Sequence, residues 1–289
     1  MKRVLLVFVP LLALVNSYFV VRDVYGIRWI RDAPPSAVAI GIFRPSQGLF
    51  AIRDALSTGP ADRQFAFGEP GDVPLTGDWN GDGVTTVGTY RPATSRFYLS
   101  NDPAGRTTDI VVTFGQAGDL PVVGDWDGNG TTTIGVFRPG NATFYLRNSN
   151  TPGEAEIVIP FDVGGGTPVA GDWNGDRTWT VGVYRPAIST FYLRDSNSPG
   201  PPDYVVTLGS AGDLPIVGDW DGDGKTTIGV YRPSNAMFYL QNSNRTGEPD
   251  IWFSFGVEGD LPVALTARTR GAKRASPQTS AETAPPPAR

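Results

Sequence analysis

Neither cysteine nor histidine occurs anywhere in the sequence. Without cysteine there is no disulfide staple and no thiol nucleophile. Without histidine, Ser-His-Asp and Cys-His catalysis and histidine-ligated zinc are excluded. Sustained helical periodicity is also missing after the first residues, so no long amphipathic helix is expected. Positive charge is in the minority, with 24 Lys and Arg against 29 Asp and Glu, which argues against a nucleic-acid partner. What the chain does have is 36 glycines and 26 prolines, the composition of many turns between short strands. Its 289 residues are enough to bury a core.

The N-terminus reads as a targeting segment. Lys2 and Arg3 precede an apolar run from Val4 to Val15, broken only by Pro10. Val15 and Ser17 are small enough for a cleavage site, which predicts a signal peptide over residues 1–17. The alternative is an uncleaved anchor, since apolar character persists to Val21. Either way the folded part is expected to be secreted or extracellular, with membrane contact only if the segment stays. Residues 18–36 have no counterpart elsewhere in the chain and are expected to be a lead-in packed on the folded domain. Residues 266–289, rich in Ala, Thr, Pro, Lys and Arg, cannot bury an apolar face and are expected to be a disordered basic tail.

Between these ends the sequence repeats. Arg44, Arg91, Arg138, Arg185 and Arg232 step by 47, each preceded by Phe or Tyr and followed by Pro. Gly-Asp-Trp returns at Gly77, Gly124, Gly171 and Gly218. An aromatic pair returns at Phe97, Phe144, Phe191 and Phe238, and a proline at Pro74, Pro121, Pro168, Pro215 and Pro262. Each unit holds four β-branched or aromatic runs bounded by turn residues; in the last full copy these are Leu214 to Val217, Thr227 to Tyr231, Met237 to Leu240 and Ile251 to Phe255. Four strands in a unit of this length make a propeller blade. The first copy begins at its second strand, Val38 to Phe43, and the last ends after a first strand, Leu261 to Leu265. These expectations combine into an all-β, five-bladed β-propeller over residues 37–265, its fifth blade closed by strands from both chain ends. An open stack of sheets, the rival, would leave bare edges and need capping units, and the sequence has none.

Between the first and second strands lies a loop with oxygen side chains at positions 1, 3 and 5. The four copies are Asp78, Asn80 and Asp82; Asp125, Asp127 and Asn129; Asp172, Asn174 and Asp176; and Asp219, Asp221 and Asp223. Glycine follows at position 6 in three of them; Arg177 stands there in the third. This is the core of a calcium loop, because alternate side chains of a tight loop can all turn toward one hard cation. Position 9 is Thr86, Thr133, Thr180 and Thr227. With threonine in place of an acid, the expected affinity is in the weak extracellular range, about 10⁻⁴–10⁻³ M. The competing reading is an Asx-turn hairpin that needs no metal.

The stretch Gly218 to Pro233, with Phe255-Gly256 downstream, resembles the FG-GAP/VCBS-type repeats of bacterial extracellular proteins, related in pattern to the integrin α-subunit propeller. The resemblance covers Val38 to Leu265. It implies that the loop residues named above ligate calcium and that the role is adhesion or recognition. Thr at position 9, where the family commonly has Asp, and five blades rather than the frequent seven are departures from it.

Two residue rings carry open alternatives. Trp79, Trp126, Trp173 and Trp220 either pack between blades or stack sugars. The five arginines either line a channel or pair with loop aspartates or tryptophans. The functional expectation is a monomeric binding or adhesion module for carbohydrate or a surface protein, where near-identical blades give multivalency. The alternatives are a glycoside hydrolase and a spacer without ligand. Hydrolysis needs two unlike carboxylates across one bond, and the acids that break the repeat, Glu154, Glu156, Asp162 and Glu258, show no evident pairing.

Overall fold

The computed structural model describes residues 18–23, 26–31 and 38–266. The expected signal peptide and all but the first residue of the expected tail lie outside the described residues. Two strands, β1 (Tyr18–Asp23) and β2 (Gly26–Arg31), form an antiparallel hairpin in the segment expected to be a lead-in.

Twenty strands follow. They are β3 (Val38–Arg44), β4 (Leu49–Arg53) and β5 (Arg63–Ala66); β6 (Val73–Gly77), β7 (Thr86–Arg91), β8 (Arg96–Leu99) and β9 (Ile110–Thr113); β10 (Leu120–Gly124), β11 (Thr133–Arg138), β12 (Thr143–Leu146) and β13 (Ile157–Pro160). Then come β14 (Thr167–Gly171), β15 (Thr180–Arg185), β16 (Thr190–Leu193) and β17 (Tyr204–Thr207); β18 (Leu214–Gly218), β19 (Thr227–Arg232), β20 (Met237–Leu240) and β21 (Ile251–Ser254); and last β22 (Leu261–Thr266). They make five four-stranded antiparallel sheets, four of them from consecutive strands and the fifth in the order β22-β3-β4-β5. Among the described residues the only helical element is a 3₁₀ turn, Pro139–Asn141.

The chain is therefore a five-bladed propeller, closed as the repeat arithmetic requires. Leu261 pairs with Phe43, Val263 with Gly41 and Leu265 with Ala39, so the last strand completes the blade begun by β3, β4 and β5. The innermost strands then run in a full circle, β6 beside β10, β10 beside β14, β14 beside β18, β18 beside β22 and β22 beside β6. No innermost strand is left as a bare edge, which is what the clasp achieves.

Position in the blade explains each strand's pattern. The second strand is buried along almost its whole length, as in Thr133–Arg138, and reads as a continuous β-branched and aromatic run. The outermost strand alternates, so that in Ile110–Thr113 only Val112 is fully buried. The core sits between blades rather than within one. Trp79 and Leu75 of one blade share a buried cluster with Ile134 and Val136 of the next, and Val263 and Leu265 share one with Val87. A single blade would expose both faces of its sheet, so stability comes from stacking neighbours around the ring.

Candidate functional site

The topology gathers the four aspartate loops at one end of the ring. Each joins the innermost strand of a blade to the second strand, so all four open on the same face. They surround the mouth of the central channel, a cavity of about 410 Å³ lined by Asp78, Asp125, Asp172, Asp219, Arg177 and Trp179 among others. Further along the channel lies a cavity of about 310 Å³ walled by the innermost strands, with a proline from every blade. Among the described residues no loop stands at the fifth position around the mouth. It is taken by Val38, Ala264 and Leu265, where β3 and β22 meet.

Each loop winds around its first aspartate. Asp78 Oδ1 accepts the N–H groups of Gly81 and Asp82 at 2.8 and 3.1 Å, and its Oδ2 accepts Gly83 N–H at 2.7 Å. Asp219 does the same for Gly222, Asp223 and Gly224. The position 5 side chain accepts the position 7 N–H at 2.8 Å in all four loops. These bonds wrap each loop around its first carboxylate. Position 6 lies in the left-handed region, with φ of 82°, 90° and 90° at Gly83, Gly130 and Gly224. Arg177 holds the same conformation at 75°, so the third loop keeps its shape against the preference of a residue with a Cβ.

The four loops differ in charge. In three of them an amide sits among the acids and donates to one: Asn80 to Asp82, Asn129 to Asp127 and Asn174 to Asp176, each at 3.0 Å. The fourth has no amide. Asp219, Asp221 and Asp223 bring their carboxylate oxygens within 4.8 Å of one another. Burial pushes the Asp219 carboxyl above its ordinary pKa, and Asp223 and Asp221 push it the same way, against the N–H groups of Gly224 and Gly222. A divalent cation relieves that repulsion, and the donor set of three hard oxygens fits calcium. Asp195, in the connection between the third and fourth strands, has its pKa raised mainly by burial and further by Asp203, Asp176 and Asp172. Its Oδ1 is buried without a hydrogen-bond partner. Sequence reasoning missed this residue because it belongs to a different turn of the unit.

The structure separates the position 9 threonines from the other loop residues. Thr86, Thr133, Thr180 and Thr227 begin the second strand, are buried, and donate to the carbonyls of Gly77, Gly124, Gly171 and Gly218. Their hydroxyls close the hairpin at the root of the loop. Neighbouring loops also interlock. Thr132 N–H donates to Asp78 O at 2.7 Å and the Thr132 hydroxyl accepts Asp78 N–H at 3.0 Å, and Thr226 binds Asp172 alike. The loop face is thus a continuous belt across blades.

The two open alternatives resolve toward structure. All four tryptophans are 3% exposed, and Trp79 and Trp220 donate to the carbonyls of Val87 and Ile228. They are inter-blade packing. The glycine before each is needed for contact, since a Cβ on Gly124 would lie 2.6 Å from the Trp126 ring. The arginines lie at the end of the second strand, on the face opposite the loops. Their partners are neither the loop aspartates nor the tryptophans. Arg44, Arg91, Arg138 and Arg232 each clasp a buried aspartate ahead of an innermost strand: Asp260, Asp72, Asp119 and Asp213. Three of them also lie over tyrosines, Tyr98, Tyr145 and Tyr239. These aspartates recur two residues before the repeated proline, so the signal was in the sequence. The acids that break the repeat do not converge. Glu154 and Glu156 lie in a connection on the loop face, whereas Asp162 and Glu258 lie in connections on the opposite face.

No protein-family model matches this sequence. No curated protein is similar to it. Similar solved structures exist. A chain from crystals of BBS1N in complex with ARL6DN, soaked with lead, is 15% identical, with a TM-score of 0.42 over 80% of this chain and 79% of that one. The mercury-soaked form gives 13% identity and a TM-score of 0.41 over the same shares. An Agrocybe aegerita lectin that recognises non-reducing terminal N-acetylglucosamine is 14% identical, with a TM-score of 0.36 over 75% of this chain and 77% of that one.

Proposed function

We propose that this chain is an extracellular, calcium-stabilised binding module of the FG-GAP/VCBS type, which uses its belt of loops to recognise carbohydrate or a surface protein. The observation that carries the reading is the fourth loop, where Asp219, Asp221 and Asp223 converge with no neighbouring amide to offset their charge. Calcium there would be held by those three carboxylates and by the carbonyl of Lys225. In the first three loops Asn80, Asn129 and Asn174 would turn their amide oxygens inward in exchange for the hydrogen bonds they now donate. In the third, Asp195 would supply a further carboxylate. A bound cation would rigidify loops already latched to one another, so the belt would present a fixed polar surface around the channel mouth. Rigid presentation lowers the ordering cost of binding, and four related loops allow weak contacts to add.

The test is a glycan array together with a cell-surface binding assay, each run in calcium and in chelator. Binding in calcium that chelator abolishes supports the reading. Binding indifferent to chelator sinks the calcium part of it, and no binding in either assay sinks the recognition part.

A further inference from the structure

The repeat supplies an internal standard for the arginine clasps, and one blade departs from it. In four blades the guanidinium meets a carboxylate through two parallel bonds: Arg44 to Asp260 at 2.9 and 3.0 Å, Arg91 to Asp72 at 2.9 and 3.1 Å, Arg138 to Asp119 at 2.8 and 2.9 Å, and Arg232 to Asp213 at 2.9 and 2.8 Å. The aspartates are 1–2% exposed. Arg185 occupies the same place in the third blade, paired in register with Thr190 as Arg138 is with Thr143. Counting 47 residues on from Asp119, however, reaches Gly166. The nearest acid in that connection, Asp162, accepts Gly164 N–H instead, and no salt bridge joins it to Arg185. Among the described residues, the half-buried Arg185 guanidinium has no hydrogen bond, ion pair or ring contact.

The surrounding backbone keeps the guanidinium open. Gly164, Gly165 and Gly166 all have positive φ, at 83°, 75° and 144°. A Cβ on Gly164 would stand 3.2 Å from Arg185 Cζ, so any side chain there would cover the cation. A Cβ on Gly166 would be 2.2 Å from Tyr184 O, so the lost aspartate cannot return without reshaping the loop. The turn after Arg185 also changes character. Ile188, 47% exposed, stands where the other units have Gln47, Thr94, Asn141 and Asn235.

We infer that Arg185 is a binding site for an external carboxylate, which takes the place filled by Asp72, Asp119, Asp213 and Asp260 in the other blades. A guanidinium fork matches a carboxylate in two-point geometry, and the four internal pairs show that this position of the blade accepts that geometry. Ile188 gives an apolar edge for the body of the ligand. The ligand class is an organic carboxylate, carried by an acidic sugar or by an acidic amino-acid side chain. The site lies on the face opposite the aspartate loops and is independent of calcium.

The test is NMR titration of the intact protein, following the arginine Nε–H signals, with galacturonate as one probe and N-acetylglutamate as the other. Saturable shifts confined to the Arg185 signal are expected. Arg185→Gln, followed by the saturation-transfer signal of each probe, should weaken binding at least tenfold. So should the combined change Asp162→Gly, Val163→Ser, Gly164→Ala and Gly166→Asp, which copies the sequence of residues 209–213 and restores an internal partner. That second variant should also melt higher than the parent, which separates loss of the site from loss of the fold. The stronger of the two probes identifies the source of the carboxylate. No saturable shift with either probe, or unchanged affinity in both variants, overturns the assignment.

Discussion

Replacing Asp260 by alanine tests the clasp that joins the two ends of the ring. Asp260 is 1% exposed and precedes the last strand, while Arg44 ends the first strand of the propeller proper. The carboxylate accepts two bonds from Arg44, at 2.9 and 3.0 Å, and a third from Val257 N–H at 2.9 Å. It also holds the Arg44 pKa above its usual value, chiefly through the direct hydrogen bond. A hydrogen bond to a charged group contributes about 1.5–3 kcal/mol, and an orphaned buried donor costs about 1–3 kcal/mol. Arg44 is 29% exposed, so water recovers part of its loss. The net destabilisation expected of Asp260→Ala is about 2–4 kcal/mol. At roughly 2–4 °C per kcal/mol for a domain of this size, the melting point should fall by about 5–15 °C. Urea titrations of Asp260→Ala, Arg44→Ala and the double variant form a cycle whose coupling term should be about 1–3 kcal/mol. Additive single effects, or a loss below about 0.5 kcal/mol for Asp260→Ala, would show that the clasp does not hold the ring, because a surface substitution costs no more than that.

Three further outcomes follow from local geometry. Arg177→Gly should stabilise by about 0.5–1 kcal/mol in thermal melts, because glycine removes the cost of a left-handed backbone and gives back part of the gain as chain entropy. Gly124→Ala should cost about 1–3 kcal/mol by the same assay, since the new methyl would meet the Trp126 ring at 2.6 Å. At high pH, burial raises the Tyr231 phenol from 10.0 to about 12 while its hydroxyl donates to Val257 O. The folded form holds the proton more tightly than the unfolded one. Stability is therefore intact below about pH 10 and should fall by up to about 2–3 kcal/mol between pH 10 and 12. Tyr231→Phe should flatten that decline in urea titrations across the range.

The fold was legible because repetition makes a single sequence its own alignment. The 47-residue step and the divided last unit determine both blade number and closure, and the strands of the last full unit lie within a residue of the runs read from Leu214 to Phe255. The oxygen positions of the loops were legible for the same reason. Contacts between units were harder to see. The arginine partners sit 19 residues upstream in a different connection, and for Arg44 they are 216 residues away. The setting of the position 9 threonines was not legible, because spacing along a chain does not show where a strand begins. Thr86 is the first residue of its strand, and its hydroxyl is turned to Gly77 O. Asp195 escaped notice because its electrostatic coupling to Asp176 and Asp172 depends on how two turns of a blade lie side by side.

The most direct measurement is calorimetric titration of the metal-stripped protein with calcium, repeated on Asp219→Asn with Asp221→Asn. Calcium binding by the loops predicts saturable heats, a melting point that rises with calcium, and loss of at least one site in the paired variant. Heats no larger than dilution up to several millimolar calcium, with a melting point that does not move, would contradict it.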